Sequence, residues 1–219
     1  MMKLVNCKIC SNRTTAVSGK TFSSTYYFCA YCRFIFIDED NIVAPGKEVD
    51  LYKQHNNTFA NEGYVNMFNV FMRKTVEPYE DKIDKALDFG CGPGPVLAGL
   101  LQQKGFTVDI YDPYFAPERT FEKKSYDLIT STEVFEHLKN PLETLSMLKN
   151  HLTKDGILAI MTLFHPDDTN LFKQWWYRRD PTHIAFYRPF TFNVLARLAG
   201  GLEVTAFDHK NICVLRKMS

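Results

Sequence analysis

The chain lacks an excess of either charge. Its 26 Lys and Arg stand against 25 Asp and Glu, so no global field draws it to nucleic acid, and nucleic acid is not an expected partner. It lacks a long apolar run. The longest, ILAIMTLF from Ile157 to Phe164, falls far below the ~20 residues that span a bilayer, so no membrane association is expected. The opening MMKLVNCKIC holds no extended apolar region of signal-peptide type, and the expected compartment is the cytoplasm. Repeats and low-complexity tracts are absent. Glycine is scarce, 11 residues in all, yet three stand at alternate positions, Gly90, Gly92 and Gly94. Two common uses of such a turn are excluded by what is missing. No Gly-Lys-Ser/Thr closes it, as a nucleoside-triphosphate loop requires, and a dinucleotide G-x-G-x-x-G would need glycine at Pro95 or Leu97.

What stands there instead is D-x-G-x-G-x-G, beginning at Asp88. Ala86, Leu87 and Phe89 read as a short buried strand before it. Pro95 suits the first turn of a helix, Val96, Leu97, Leu100 and Leu101 recur at helical spacing, and Gly105 is a typical stop. A strand, a glycine turn and a helix let a ligand approach backbone closely and aim helix N-terminal N–H groups at it. FTVDIYDP reads as a second strand ending at Asp112. SYDLITSTEVFEHLKNP gives a strand from Tyr126 to Ser131, then a helix start bearing Glu133, Glu136 and His137. In LTKDGILAIMTLF a polar turn at Asp155–Gly156 feeds an apolar strand of the kind found inside parallel sheets.

Across residues 84–217 these blocks resemble class I S-adenosylmethionine-dependent methyltransferases. The resemblance implies a Rossmann-like, doubly wound α/β sheet over residues 84–219. It implies S-adenosylmethionine as cofactor, contacted by Asp88, Gly90, Cys91, Gly92, Gly94, Asp112, Thr132 and Glu133, with Asp112 accepting from the ribose hydroxyls. The implied partner is a small-molecule acceptor, methylated at oxygen or carbon. E-x-x-E-H at Glu133, Glu136 and His137 is similar to the corresponding segment of ubiquinone-biosynthesis O-methyltransferases, where it implies a second divalent metal near the acceptor. Adenine N-methyltransferases carry Asn/Asp-Pro-Pro-aromatic at this point. Here Ser131–Val134 reads STEV, which argues against base methylation. One departure concerns the 13 residues between Asp112 and Tyr126. A crossover takes a dozen or more, so at most a stub of a third strand fits, around Phe121, in the region that holds the adenine end of the cofactor in the resembling family.

Four of the six cysteines form two C-x2-C pairs, Cys7 with Cys10 and Cys29 with Cys32, separated by 18 residues. The spacing fits a tetrahedral structural Zn2+ site, and the alternative of two disulfides is disfavoured in a reducing compartment. Cys91 and Cys213 read as small buried residues rather than nucleophiles. Residues 1–44 form the expected zinc ribbon, and residues 45–83 a helical linker or lid. Leu51 to Asp81 reads as helical, with Tyr64, Phe68, Phe71, Thr75 and Tyr79 on one side. Such a helix either packs on the core or covers the cofactor, with Tyr52, His55 and Asn56 near its methionine end. Lys173, Arg178, Arg179 and Arg188 make a local basic cluster, read either as a solvated face or as the seat of an anionic acceptor.

Methyl transfer from a sulfonium needs alignment and exclusion of water more than chemistry from the protein. A hydroxyl acceptor gains from a general base. His183 is the leading candidate: the turn begun by Asp180 and Pro181 is expected to present it rather than bury it. His137 and Glu133 are further catalytic candidates, with metal ligation or orientation the better role for His137. The alternative function is a non-catalytic cofactor-binding or regulatory protein that docks through its ribbon.

Overall fold

The structure, a computed structural model, describes residues 4–17, 24–53 and 57–218. Its N-terminal part rests on two turns of the same construction. In one, Ser11 N–H donates to the Cys7 carbonyl at 2.9 Å and Cys7 N–H to that of Asn12 at 2.8 Å. In the other, Arg33 N–H donates to Cys29 and Cys29 N–H to Phe34, both at 2.9 Å. Ser11 and Arg33 take φ of 58° and 63°, the same left-handed step in each turn. Strands β1 (Thr15–Val17), β2 (Tyr26–Phe28) and β3 (Ile35–Ile37) form an antiparallel meander around these turns.

The continuous helix expected from Leu51 to Asp81 is broken into pieces. Helix α1 spans Pro45–Tyr52 and α2 spans Glu62–Thr75. Asn61 starts α2 by accepting the Tyr64 N–H at 3.2 Å, a local bond that competes with helix continuation. Beyond Thr75, Pro78 lacks the N–H a further helical turn would use, and Glu77–Lys82 winds as a 3-10 segment. Phe68, Phe71 and Thr75 are buried on one side of α2 as the periodicity requires.

The main sheet follows. Strand β4 (Lys85–Phe89) leads through the glycine turn into α3 (Val96–Gln103) and β5 (Thr107–Tyr111), and β6 (Tyr126–Thr132) into α4 (Pro141–Asn150) and β7 (Leu152–Met161). After α5 (Thr169–Gln174), β8 (Ala185–Phe186) and α6 (Pro189–Ala199), the chain closes on β9 (Leu202–Phe207) and β10 (Ile212–Lys217). The six strands lie in the order β5-β4-β6-β7-β10-β9. The first four are parallel, while β10 runs antiparallel to both its neighbours. Ala86, Leu128, Ile157 and Ala159 face a core shared with α2 and α3, and Leu87, Ile129, Leu158 and Ile160 face one shared with α4 and α6. Both faces are therefore covered, which is why Ile157–Met161 in β7 reads as an unbroken apolar run. The Rossmann-like α/β reading holds. Among the described residues no helix is long and apolar enough to cross a membrane.

Two local expectations are corrected, while the short stretch after Asp112 holds no full third strand, as its length required: Thr120–Lys123 is one 3-10 turn that buries Phe121 against Phe89 and Tyr111. This leaves β5 at the sheet edge, where Asp109 is held by Lys124 Nζ at 2.8 Å and Tyr126 OH at 2.7 Å. Glu133, Glu136 and His137 do not open a helix. Glu133 has φ of 54°, Phe135–His137 is a 3-10 turn, and α4 begins only at Pro141, since a residue before proline avoids helical geometry. Finally, Asp155–Gly156 lies inside β7 as a bulge, with Asp155 at φ 61° and a register shift opposite Tyr126–Leu128.

The N-terminal sheet is completed from far along the chain. Strand β8 pairs with β3 through Ile35↔Phe186, giving the order β1-β2-β3-β8. Tyr26, Phe34 and Phe36 share one core with Phe135, Phe172, Phe186 and Tyr187. A segment too small to support itself by burial alone is thus carried on the larger domain.

Candidate active site

At the end of β4 the chain turns through Gly90, whose N–H donates to the Tyr111 carbonyl at 2.7 Å, as does that of Cys91 at 3.1 Å. Gly90 takes φ of 84°, and a Cβ there would overlap Val134; a Cβ on Gly94 would overlap the Asn57 carbonyl oxygen. Only glycine lets the residue after Glu133 and the segment before α2 lie this close to the turn. Asp112, just past β5, is mostly buried. Its Oδ2 accepts the Gly92 N–H at 3.1 Å, and its Oδ1 accepts those of Tyr114 and Phe115 at 2.8 and 3.0 Å. A carboxylate has about four acceptor positions, so three bonds leave room for a ligand hydroxyl. The cradle of small residues and the remaining acceptor capacity both fit a nucleoside cofactor.

Asp88 lies beneath the turn, 2% exposed, and accepts the Thr130 hydroxyl at 3.0 Å. Burial pushes its carboxyl up to about 7, against the pull of the Thr130 and Ala98 bonds. A folded-state value above the unfolded ~3.9 means that the native protein holds a proton the unfolded chain releases. That contribution is complete below about pH 4 and is lost as pH rises through about 7. Asp88→Asn, nearly the same shape, is expected to gain stability relative to wild type between about pH 4 and 7, by up to about 1.4 kcal/mol per pH unit, with no further gain above. Denaturant melts of both proteins at about pH 5 and 7 measure this, and parallel pH slopes would refute it. Cys91, beside the turn, is pushed up to about 12 by burial and by Asp88 and Asp112, so it is no thiolate nucleophile.

The segment after β6 gathers ionisable side chains. Glu136 is 0% exposed. Its Oε1 accepts Tyr177 OH at 2.5 Å, while its Oε2 has no partner. Tyr177 OH also lies 3.2 Å from Glu133 Oε2. Glu133 remains open to solvent, yet its carboxyl is raised well above the ordinary range by its dense surroundings and by the Glu136 charge. His137 Nδ1 is 2.9 Å from the Thr182 carbonyl and His183 Nδ1 2.7 Å from that of Tyr177. A carbonyl only accepts, so each ring carries its proton on Nδ1 and keeps the Nε2 lone pair free. Burial lowers His183 below the usual imidazole value, opposed chiefly by Glu136.

His183 is 9% exposed, so the Asp180–Pro181 turn folds it inward instead of presenting it. Asp180 Oδ1 accepts both N–H and OH of Thr182, at 2.8 and 2.6 Å, which tightens that turn. The His183 ring lies 5.0 Å from His137 and 4.1 Å from Tyr177 between centroids. One ligand atom each from Glu136, His137 and His183 come within 4.8 Å of one another; Glu133 does not join this set. Tyr52, at the end of α1, meets His137 edge-on at 5.2 Å; His55 and Asn56 lie outside the described residues. Thr132 sits at the end of β6, buried. Sequence reasoning did not single out the Thr182 carbonyl, because its role depends on how two distant loops meet.

The four N-terminal cysteines also converge. Cys7 and Cys32 sulfurs are 3.5 Å apart, as are those of Cys10 and Cys29, and all four lie within 4.8 Å of one another. Sulfurs about 2.3 Å from a central ion would stand about 3.8 Å apart at tetrahedral corners, so the set fits a metal ion. Bonding to Cys32 draws the Cys7 thiol down to about 5, while burial and the Cys7 charge push Cys29 up to about 11. The basic cluster is divided: Arg188 pairs with Asp167 at 2.6 Å, apart from Lys173, Arg178 and Arg179.

A doubly wound sheet with a glycine turn after one strand and a carboxylate after its neighbour defines a protein of the nucleoside-cofactor-binding α/β class. The chain belongs to the family described as a methyltransferase domain, whose model matches residues 66–206. No curated protein matches it. Among solved structures, mitomycin 7-O-methyltransferase MmcR shares 14% identity over 71% of this chain and 55% of that one, with a TM-score of 0.52. Coclaurine N-methyltransferase bound to N-methylheliamine and SAH shares 18% over 71% and 53%, at 0.48. An O-methyltransferase family protein from Burkholderia thailandensis shares 13% over 80% and 56%, at 0.45. The chain thus spans about half the length of these proteins, and at such identities the likeness concerns the fold.

Proposed function

We propose that the protein transfers the sulfonium methyl of S-adenosylmethionine to a hydroxyl or carbon acid of a small-molecule acceptor. The observation that carries this reading is the convergence of Glu136, His137 and His183 next to the glycine turn, joined to it through Val134. The turn and Asp112 would hold the cofactor. Asp88, sealed under the turn, would keep its shape. The sulfonium methyl is electrophilic when bound, so the protein's task is to align the acceptor and keep water out. His183, anchored through Nδ1, offers Nε2 to the acceptor's proton, and His137 orients the acceptor beside it. Tyr52 against His137 supports α1 as one wall of a lid.

A specific observation favours a second arrangement at the same place. The unpartnered, buried Glu136 Oε2 and two imidazoles held by backbone carbonyls fit a divalent cation. Such an ion would supply Lewis-acid activation of an acceptor oxygen. Its ligands would be Glu136, His137 and His183 rather than Glu133, Glu136 and His137.

Methyl-labelled cofactor offered with a panel of small hydroxyl, enol and amine compounds tests the reading. Label is expected in an oxygen or carbon acceptor, and label only in amines would overturn the acceptor assignment. We further propose Zn2+ at Cys7, Cys10, Cys29 and Cys32, in a structural role. Elemental analysis of protein purified without chelator is expected to give one zinc per chain, lost in Cys29→Ser/Cys32→Ser. A zinc-free wild-type protein would contradict it.

A further inference from the structure

Between the ribbon and the main domain lies a cleft of about 660 Å³, lined among others by Ser24, Asn41, Lys173, Arg178, Arg179 and Asp180. Its polar groups are almost all donors. Lys173 is half-buried, and its Nζ meets only the Asn170 side-chain oxygen, at 3.2 Å. Arg179 is exposed and makes one long bond, 3.5 Å, to the Gln174 carbonyl. No carboxylate among the described residues forms an ion pair with either. Asn41 spends its oxygen on the Thr25 N–H at 2.8 Å, which leaves its amide N–H groups as donors. Arg178 is committed: its guanidinium binds the Phe172 and Lys173 carbonyls and lies over the Tyr26 ring. That clamp fixes the backbone from which Lys173 and Arg179 project. The one acidic lining residue, Asp180, uses Oδ1 on Thr182, and its Oδ2 lies 3.9 Å from His183 Nε2.

We infer that this cleft binds a small anion of phosphate, sulfate or carboxylate type, through Lys173 and Arg179 with Asn41 and Ser24 as further donors. Two cations without acidic partners, on a clamped backbone and among neutral donors, suit a multivalent oxyanion. The site bears on the proposed reaction because its wall, Asp180–Pro181, is the turn that positions Thr182 and His183. In that respect it rests on the methyltransferase reading. The anion is either part of the acceptor itself or a separate ion that stiffens the turn.

Titration of the full-length, isotope-labelled protein with inorganic phosphate, followed by NMR, tests the inference. Saturable shifts are expected at Asn41 and across Lys173–Pro181. The double variant Lys173→Gln/Arg179→Gln should bind about tenfold more weakly or worse, since two charge-assisted contacts are removed. Lys173→Arg should retain binding, which separates lost charge from disturbed folding. Wild-type affinity in the double variant, or no saturable shift at the cleft, overturns the inference. With an acceptor in hand, phosphate that raises KM at constant kcat assigns the site to the acceptor's own anionic group. Phosphate that changes kcat assigns it to a separate ion. Calorimetry with the demethylated cofactor on the same samples keeps the two ideas apart: cleft shifts without cofactor binding would leave the anion site standing and remove the methyltransferase reading, and the reverse would remove only the anion site.

Discussion

Replacing His183 with alanine is expected to lower kcat by about 10²-fold or more while affinity for the demethylated cofactor stays within about twofold. The expectation follows from geometry. Nδ1 is held by the Tyr177 carbonyl at 2.7 Å, so the ring has one orientation and one free lone pair. Burial keeps the imidazole below its usual value, so it is uncharged near neutral pH and ready to take a proton. The ring also fills space against Tyr177 and His137, and alanine would leave a cavity there. His183→Gln separates the two effects, since it retains bulk and can still donate to the Tyr177 carbonyl. Turnover near wild type in His183→Gln would reduce the residue to packing. Loss in both variants, with melting behaviour close to wild type in the glutamine form, is the expected result.

Asp112→Ala is expected to weaken binding of the demethylated cofactor by about ten- to a hundredfold, the scale of hydrogen bonds lost from a mostly buried carboxylate. Two contributions combine. The ribose hydroxyls would lose their acceptor, and the N–H groups of Gly92, Tyr114 and Phe115 would lose theirs, which loosens the turn from both ends. Asp112→Asn keeps one oxygen for Tyr114 and Phe115 and is expected to fall between wild type and alanine. Affinities equal to wild type in both variants would remove Asp112 from the cofactor site.

Much of this arrangement was legible in the residues because it is local. The strand before Gly90, the carboxylate after β5 and the paired cysteines each depend on spacing over a few positions. The apolar strand from Ile157 was legible for the same reason, although Asp155–Gly156 proved to be a bulge within it. What was not legible depends on distant segments meeting. Nothing near Ala185 announces that it completes the sheet of β1–β3, where it pairs with Phe36, 149 residues earlier in the chain. The burial of His183 likewise comes from the Glu136 carbonyl accepting the Ile184 N–H at 2.8 Å and the Ile184 carbonyl accepting that of Ile37 at 3.0 Å. These bonds draw the loop inward against its own turn-forming residues. The missing third strand was anticipated from length alone. That a single buried Phe121 would close the edge was not, since one aromatic residue has no period to read.

The central claim is that the glycine turn and Asp112 hold S-adenosylmethionine for methyl transfer. Calorimetric titration of the full chain with S-adenosylhomocysteine tests it most directly. The account predicts saturable binding of one molecule per chain, with Asp112→Ala weakened as above. No binding of the product by a folded wild-type protein, or binding untouched by changes at both the turn and Asp112, would contradict it.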